Sequence, residues 1–283
     1  MASFTNFATL SYNGGTTNSN IVTGEILEAL TAVKTAVSAN YSAGDRITYA
    51  LSLVNTGTAA ITDYTVTDNL GGYTVGANTV YPLAYSAGTV RYYINGVLQT
   101  APTVTAGPPL TVTGLTVPAG GSAVLIYETT ATPVAPLATG SSITNTATIT
   151  GGGLTTPITA QATVETATSA ELSISKALSP TTVTENGQIT YTFVISNTGN
   201  TEATATGNVV VTDTFAPILR NIAVTYNGTA WTEGTNYTYN AATGVFTTLA
   251  GQITVPAASF TQNTDGTFTV TPGTATLVIT GTV

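Results

Sequence analysis

Strict alternation of β-branched and small polar residues runs through nearly the whole chain, and it leaves little room for anything but strands. Ile47-Thr48-Tyr49-Ala50-Leu51-Ser52-Leu53-Val54 sends every second side chain to one face, the period of a pleated strand and not of a helix. Ile61 to Leu70, Ala123 to Thr130 and Ile143 to Thr150 read the same way. Asn95-Gly96 and Asn227-Gly228 each follow an apolar, aromatic-bearing run, the signature of a two-residue hairpin turn. The one helix-like stretch, Gly24 to Ser38, reads as a linker followed by a strand. Many short strands with frequent turns predict an all-β chain of sandwiches, and 283 residues are enough for two.

An internal repeat agrees with that count. Ile47-Thr48-Tyr49 and Asn55-Thr56-Gly57 recur as Ile189-Thr190-Tyr191 and Asn197-Thr198-Gly199. Val66-Thr67-Asp68 recurs as Val211-Thr212-Asp213, and Gly121-Ser122-Ala123 as Gly273-Thr274-Ala275. Each repeat opens with a strand that carries a lysine, Lys34 or Lys176. The first repeat closes with Ile143-Thr144-Asn145-Thr146-Ala147-Thr148-Ile149, and the second has no counterpart. A match stands instead at the start of the chain, in Phe4-Thr5-Asn6-Phe7-Ala8-Thr9-Leu10. The expected organisation is a donor strand and linker over residues 1–28, a first domain over 29–168, and a second domain over 169–283 that lacks its last strand.

Composition removes whole classes of function. Five basic residues against thirteen acidic ones, net charge −8, cannot neutralise a phosphate backbone, so nucleic acid is not an expected partner. With no cysteine and no histidine, the usual zinc, haem and iron–sulfur sites are not expected. Ser-His and Cys-His nucleophile pairs are ruled out on the same ground. No metal or other cofactor and no turnover enzyme are therefore expected. No apolar run approaches a membrane span. Charged residues are only 6% of the chain, far below the usual quarter or so, which fits a secreted or surface-assembled protein. The start shows no secretory signal pattern, so a mature end or a route such as mother-cell deposition on a spore is expected.

The pattern Lys…Ile-Thr-Tyr…Asn-Thr-Gly…Val-Thr-Asp…Asn-Thr-Ala-Thr-Ile resembles the bacterial surface repeat known as "domain of unknown function 11", twice over. That resemblance implies Ig-like β-sandwiches of envelope, adhesin or filament proteins and names no activity. A more distant resemblance is to the isopeptide-forming Ig-like domains of Gram-positive pilins.

A sandwich short of one strand exposes edges that template pairing with another chain. The donor would be residues 3–13, whose Phe4, Asn6, Ala8, Leu10 and Tyr12 share one face. The acceptor would be the second domain of the next subunit. Such a contact runs head to tail and repeats into a homopolymer. Fold-back of the segment into its own chain and a loose tail are the alternatives.

Each repeat also aims a lysine, an acid and an amide at its interior. Lys176 shares a face with Leu172 and Ile174, Asp68 with Tyr64 and Val66, Asp213 with Val211 and Phe215, and Asn145 with Ile143 and Ala147. Buried charges need compensation. One reading is a self-formed lysine–asparagine isopeptide bond, with Lys34, Asp68 and Asn145 in the first domain. In the second, Lys176 and Asp213 would act with Asn6 of a neighbour, the aspartates being the acid–base groups. The other reading is a plain buried ion pair beside a hydrogen-bonded asparagine.

Asp63 and Asp68 fall on opposite faces, which argues against a glycosidase pair. Tyr226 and Trp231 read as core packing or a cross-strand pair in preference to a glycan-contacting patch, and Arg46, Arg91 and Arg220 as solvated or in surface ion pairs. The expected function is a structural subunit of an extracellular filament at a bacterial cell or spore surface. The alternative is a monomeric adhesin or stalk module with a surface ligand.

Overall fold

The computed structural model describes residues 2–26 and 29–283; Met1, Leu27 and Glu28, within the expected leader and linker, lie outside them. The chain divides into two compact units. One comprises residues 1–135 and 142–165, the other residues 136–141 and 166–283. Among the described residues the only helical element is a single 3-10 turn, Ala205–Gly207, so no helix is long and apolar enough to cross a membrane.

The chain opens with a hairpin. β1 (Ala2–Asn6) and β2 (Thr9–Tyr12) run out to a turn at Asn13-Gly14, and β3 (Gly15–Asn18) and β4 (Val22–Ile26) return. β1 pairs with β4 and β2 with β3, and among the described residues these four strands join no other sheet. Their side chains from Ser3 to Tyr12 are exposed. The segment expected as one extended donor strand is therefore folded against Gly15–Ile26, with a break at Phe7-Ala8. The stretch expected as linker and strand supplies both the end of β4 and the next strand.

Unit 1 continues with β5 (Leu30–Ala36), β6 (Asn40–Tyr41), β7 (Arg46–Asn55), β8 (Ile61–Asp68), β9 (Leu110–Val117), β10 (Ser122–Ala131), β11 (Ser142–Gly151) and β12 (Ile158–Thr166). One six-stranded sheet contains β10, β7 and β5 in that order, with Arg91–Ile94 and Val97–Leu98 beyond β10. The other contains Thr103–Thr105, β9, β8, β11, β12 and β6. The alternation read in the sequence is the alternation of burial. Along β10 every second residue is buried, and Ile47, Tyr49, Leu51 and Leu53 of β7 are sealed between the sheets. Each such side chain contributes about 1.5–3 kcal/mol by leaving water.

Unit 2 repeats the plan in β13 (Leu172–Ser179), β14 (Gln188–Asn197), β15 (Thr212–Thr214), β16 (Arg220–Tyr226), β17 (Val245–Thr248) and β18 (Gly273–Thr282). Its larger sheet runs β13, β14, β18, β16 and Thr229–Trp231; its smaller one runs β15, β17 and Tyr237–Asn240. The core gathers on Phe193, Ile195, Phe215, Phe246, Leu277 and Ile279. Both predicted turns form: Asn95 and Gly96 have φ of 47° and 80°, Asn227 and Gly228 of 48° and 80°, the two left-handed residues of a turn that matches strand twist. Tyr226 stacks on Trp231 at 4.8 Å between ring centroids, as a cross-strand pair.

Candidate functional site

In unit 1 three strands converge on one buried cluster. β5 lies beside β7 with Lys34 opposite Leu51, which turns the lysine inward. β8 brings Asp68, and β11 lies next to β8 with Ala147 opposite Asp68. Asn145, two residues earlier on β11, therefore projects from the same face. Lys34, Asp68 and Asn145 are all buried.

Lys34 Nζ lies 2.5 Å from Asp68 Oδ2. The Tyr127 hydroxyl donates to the same oxygen, and the Leu70 N–H donates to Oδ1 at 2.9 Å. The ammonium sits 4.8 Å from the Tyr49 ring centroid and 5.9 Å from that of Tyr127. Burial pushes the Lys34 pKa down from 10.5 to about 8, against the pull of Asp68. Burial first, then Asp68, pushes the Tyr49 and Tyr127 phenols up, so both stay neutral.

Asn145 is the odd member. Among the described residues neither its amide nitrogen nor its amide oxygen meets hydrogen-bond geometry, though both are buried; the Tyr49 and Tyr127 hydroxyls are the polar groups near enough to interact with it. Leaving a buried polar group unpaired costs about 1–3 kcal/mol, and native interiors rarely tolerate it. An amine pushed toward neutrality, a carboxyl group bonded to it and a buried carboxamide beside them are the groups that amide transfer needs.

Unit 2 carries the lysine and the acid without the third member. Lys176 stands opposite Phe193, with Nζ 2.5 Å from Asp213 Oδ2 and 4.5 Å from the Tyr191 ring centroid. The seal is missing. The lysine and aspartate side chains are 40% and 17% exposed, against 0% and 1% in unit 1. Leu172 is 40% exposed where its counterpart Leu30 is 4% exposed. The reason lies in the sheet order: β8 is flanked by β9 and β11, whereas among the described residues β15 pairs only with β17. Asn6, the residue expected to complete this cluster, lies on β1 opposite Val22 and is exposed. Phe4, Ala8, Leu10 and Tyr12 are exposed on the same hairpin.

Two features escaped the sequence reading. Tyr127 joins the Asp68 cluster from β10, and the register of the two long sheets puts Ile279 at its place in unit 2. The Asn-Thr-Gly motif is a buried clamp. Asn55 Nδ2 donates to the carbonyls of Ala59 and Pro118 while Oδ1 accepts from Gly57 N–H. Asn197 does the same with Thr201, Pro256 and Gly199. Its recurrence was the only available signal. No group of three or more potential metal-binding acidic side chains occurs among the described residues.

No protein-family model matches the sequence, the surface-repeat family named above included. No curated protein matches it either. Solved structures resemble it distantly. The major pilin subunit of Bacillus cereus is 14% identical over 96% of this chain and 73% of its own, with a TM-score of 0.35. The pilus backbone protein of Streptococcus pneumoniae is 13% identical over 86% and 55%, with a TM-score of 0.36. The N-terminal domain of a Streptococcus gordonii adhesin is 14% identical over 48% of this chain, which spans only 32% of that one, with a TM-score of 0.36. Likeness at this level carries no functional inference.

Proposed function

We propose that the chain is a structural subunit of an extracellular bacterial filament at a cell or spore surface. Subunits join head to tail when the N-terminal strand of one copy enters unit 2 of the next, and lysine–asparagine isopeptide bonds lock the assembly. The observation that carries this reading is the contrast between equivalent residues. Leu30 and Lys34 are buried in unit 1, where β11 and β12 extend the sheet beyond β8, while Leu172 and Lys176 lie open in unit 2, where among the described residues β15 pairs only with β17. The strand that matches β11 in sequence is exposed on the same chain.

The lock is an amide exchange. Neutral Lys34 Nζ attacks Asn145 Cγ, and the Cγ–Nδ2 bond breaks. The Lys34 proton passes by way of Asp68 to the departing nitrogen, which leaves as ammonia. Charge and atoms balance without an oxidant or cofactor, and each site reacts once. Lys176, Asp213 and the Asn6 of a neighbouring copy would do the same between subunits.

Boiling native material in SDS tests both parts. A ladder of multimers, each short of one ammonia per bond, is the expected result. Asn6→Ala should collapse the ladder to a monomer that still lacks one ammonia. A wild-type monomer at full sequence mass that stays monomeric in solution would remove the filament reading, and saturable binding of a surface ligand by that monomer would favour an adhesin instead.

A further inference from the structure

The geometry points to a two-stranded donor: the whole hairpin β1–β4, not its first strand alone, enters unit 2 of the next copy, and its return strand pairs with Thr181–Val183 there. This rests on the filament reading and specifies its joint.

In unit 1 the space open in unit 2 is filled by a hairpin, not by a strand. β11 covers the β8 edge, β12 pairs with β11, and β6 pairs with β12 at the sheet margin. Ala162, Val164 and Thr166 of β12 are buried there, as is Tyr41 of β6. Over β1 and β4 the N-terminal hairpin reproduces the register of that pair; past the break at Phe7-Ala8 the pairing of β2 with β3 slips by one residue, so that Leu10 faces Thr17. Ser142 faces Glu165, Ile143 faces Val164 and Asn145 faces Ala162. In the same order Ser3 faces Glu25, Phe4 faces Gly24 and Asn6 faces Val22.

Side-chain volume is shared differently but fills the same layer. Where unit 1 uses Ile143 beside Val164, the hairpin lays the Phe4 ring over Gly24, and a Cβ at Gly24 would fall 2.3 Å from that ring. Phe4, Leu10, Tyr12 and Val22 are all more than half exposed, an apolar surface open to solvent among the described residues.

Unit 2 has the matching vacancy. By repeat position Thr182 and Val183 correspond to Asn40 and Tyr41 of β6, yet they form no strand. In unit 1 the Glu165 N–H donates to the Ala39 carbonyl at 2.9 Å, which ties β12 to this margin. The equivalent bond in the joint runs from Glu25 N–H to the Thr181 carbonyl. A groove of about 660 Å³ lies there, lined by Leu178, Thr181, Val183 and Tyr191 among others. Its Leu178, Val183, Ile189 and Tyr191 side fits the hairpin's apolar face, with Glu185 and Arg220 also on its lining, and the backbone of residues 181–183, which forms no strand among the described residues, fits the outer edge of β4.

The test uses the full chain. Val22→Asp puts a charge on the inward face of β4, and Thr23→Asp puts one on the outward face. Both sites are exposed in the free chain, so neither substitution disturbs its folding. Val22→Asp should cut polymer yield by about tenfold or more, the cost of burying an unpaired charge, while Thr23→Asp polymerises as wild type. Hydrogen exchange should show residues 15–26 and 181–183 gaining protection on polymerisation. If Val22→Asp polymerises normally and 181–183 stay unprotected while 209–214 become protected, a single strand is donated and the hairpin is overturned. If wild type gains no protection at 209–214 either, the filament reading itself fails.

Discussion

Tyr127 donates its hydroxyl proton to the same Asp68 oxygen that holds Lys34 Nζ. A hydrogen bond to a buried charged group contributes about 1.5–3 kcal/mol. Tyr127→Phe should lose about that much when measured in an Asn145→Ala background, where no cross-link obscures unfolding. Urea melts of the double and single variants give the difference, and a gap below a few tenths of a kcal/mol would show that the contact contributes nothing.

Removing one member of the ion pair should cost far more than replacing a member by an apolar residue of similar length. Asp68→Ala strands a buried lysine and leaves the Leu70 N–H and Tyr127 hydroxyl without their acceptor, a loss of about 3–5 kcal/mol. Lys34→Met keeps the volume and leaves the carboxyl its Leu70 N–H and Tyr127 hydroxyl donors, so its loss should be smaller. Both should leave unit 1 at full sequence mass, with no ammonia lost. Calorimetry ranks the two, and the reverse order would contradict the burial of the pair.

The inward direction of Lys34, Asp68 and Asn145 was legible in the sequence, because side-chain period alone decides the face of a strand. So was the repeat, down to the Asp68–Asp213 match. Tyr127 was not legible, because its approach to Asp68 crosses from one sheet to the other, and local alternation says nothing about which inward residues meet. The hairpin was missed for a related reason. Phe4 to Tyr12 carries the pattern of a strand, but the partner that satisfies its backbone, Gly15 to Ile26, is rich in Thr, Asn and Gly and reads as a loop. The loss of a strand at Thr182-Val183 was invisible too, since a two-residue edge such as β6 exists only when its neighbour is present.

Stability of the uncross-linked Asn145→Ala chain should rise with pH between about 8 and 10. Lys34 has a folded-state pKa of about 8, below its ordinary 10.5, because burial disfavours its charge. The unfolded chain therefore holds more protons in that window, and stability increases with pH wherever that is so. Each unit of pKa difference is worth about 1.4 kcal/mol. Above about pH 10 the buried phenols of Tyr49, Tyr64 and Tyr127 reverse the trend, since their pKa values are raised in the fold. An acylated Lys34 does not titrate, so the wild-type chain should lack the rise. Urea melts across that range decide it, and a flat Asn145→Ala profile would place Lys34 in water.

The Asn-Thr-Gly clamps should be among the least replaceable polar residues in either unit. Asn197→Ala frees the Thr201 and Pro256 carbonyls and the Gly199 and Glu171 N–H groups at once. At about 1–3 kcal/mol for each buried group left unpaired, a loss above about 3 kcal/mol is expected. Asn55→Ala should behave alike in unit 1. Thr198→Ala serves as the comparison, because Thr198 lies in the same motif but is exposed and its hydroxyl reaches Glu171 only at 3.4 Å. Equal melting temperatures for Asn197→Ala and Thr198→Ala would deny the clamp its role.

The joint between subunits has a register that cysteines can read, in a chain with none of its own. In unit 1 Ala147 faces Asp68 and Thr148 faces Thr67. Carried to the joint, Ala8 faces Asp213 and Thr9 faces Thr212. Both threonines point away from the cluster, so replacing them leaves Lys176 and Asp213 in place. Cysteines at Thr9 and Thr212 should oxidise to a disulfide between subunits, because directly opposed strand residues fall within the few ångströms that a disulfide spans. Thr9 with a cysteine at Val210 should not, since two residues along a strand add about 6–7 Å. In an Asn6→Ala background, where no isopeptide can join subunits, a reducible ladder from the first pair alone fixes the register. A ladder from the second pair alone would shift the donor by two residues and carry position 6 away from Lys176.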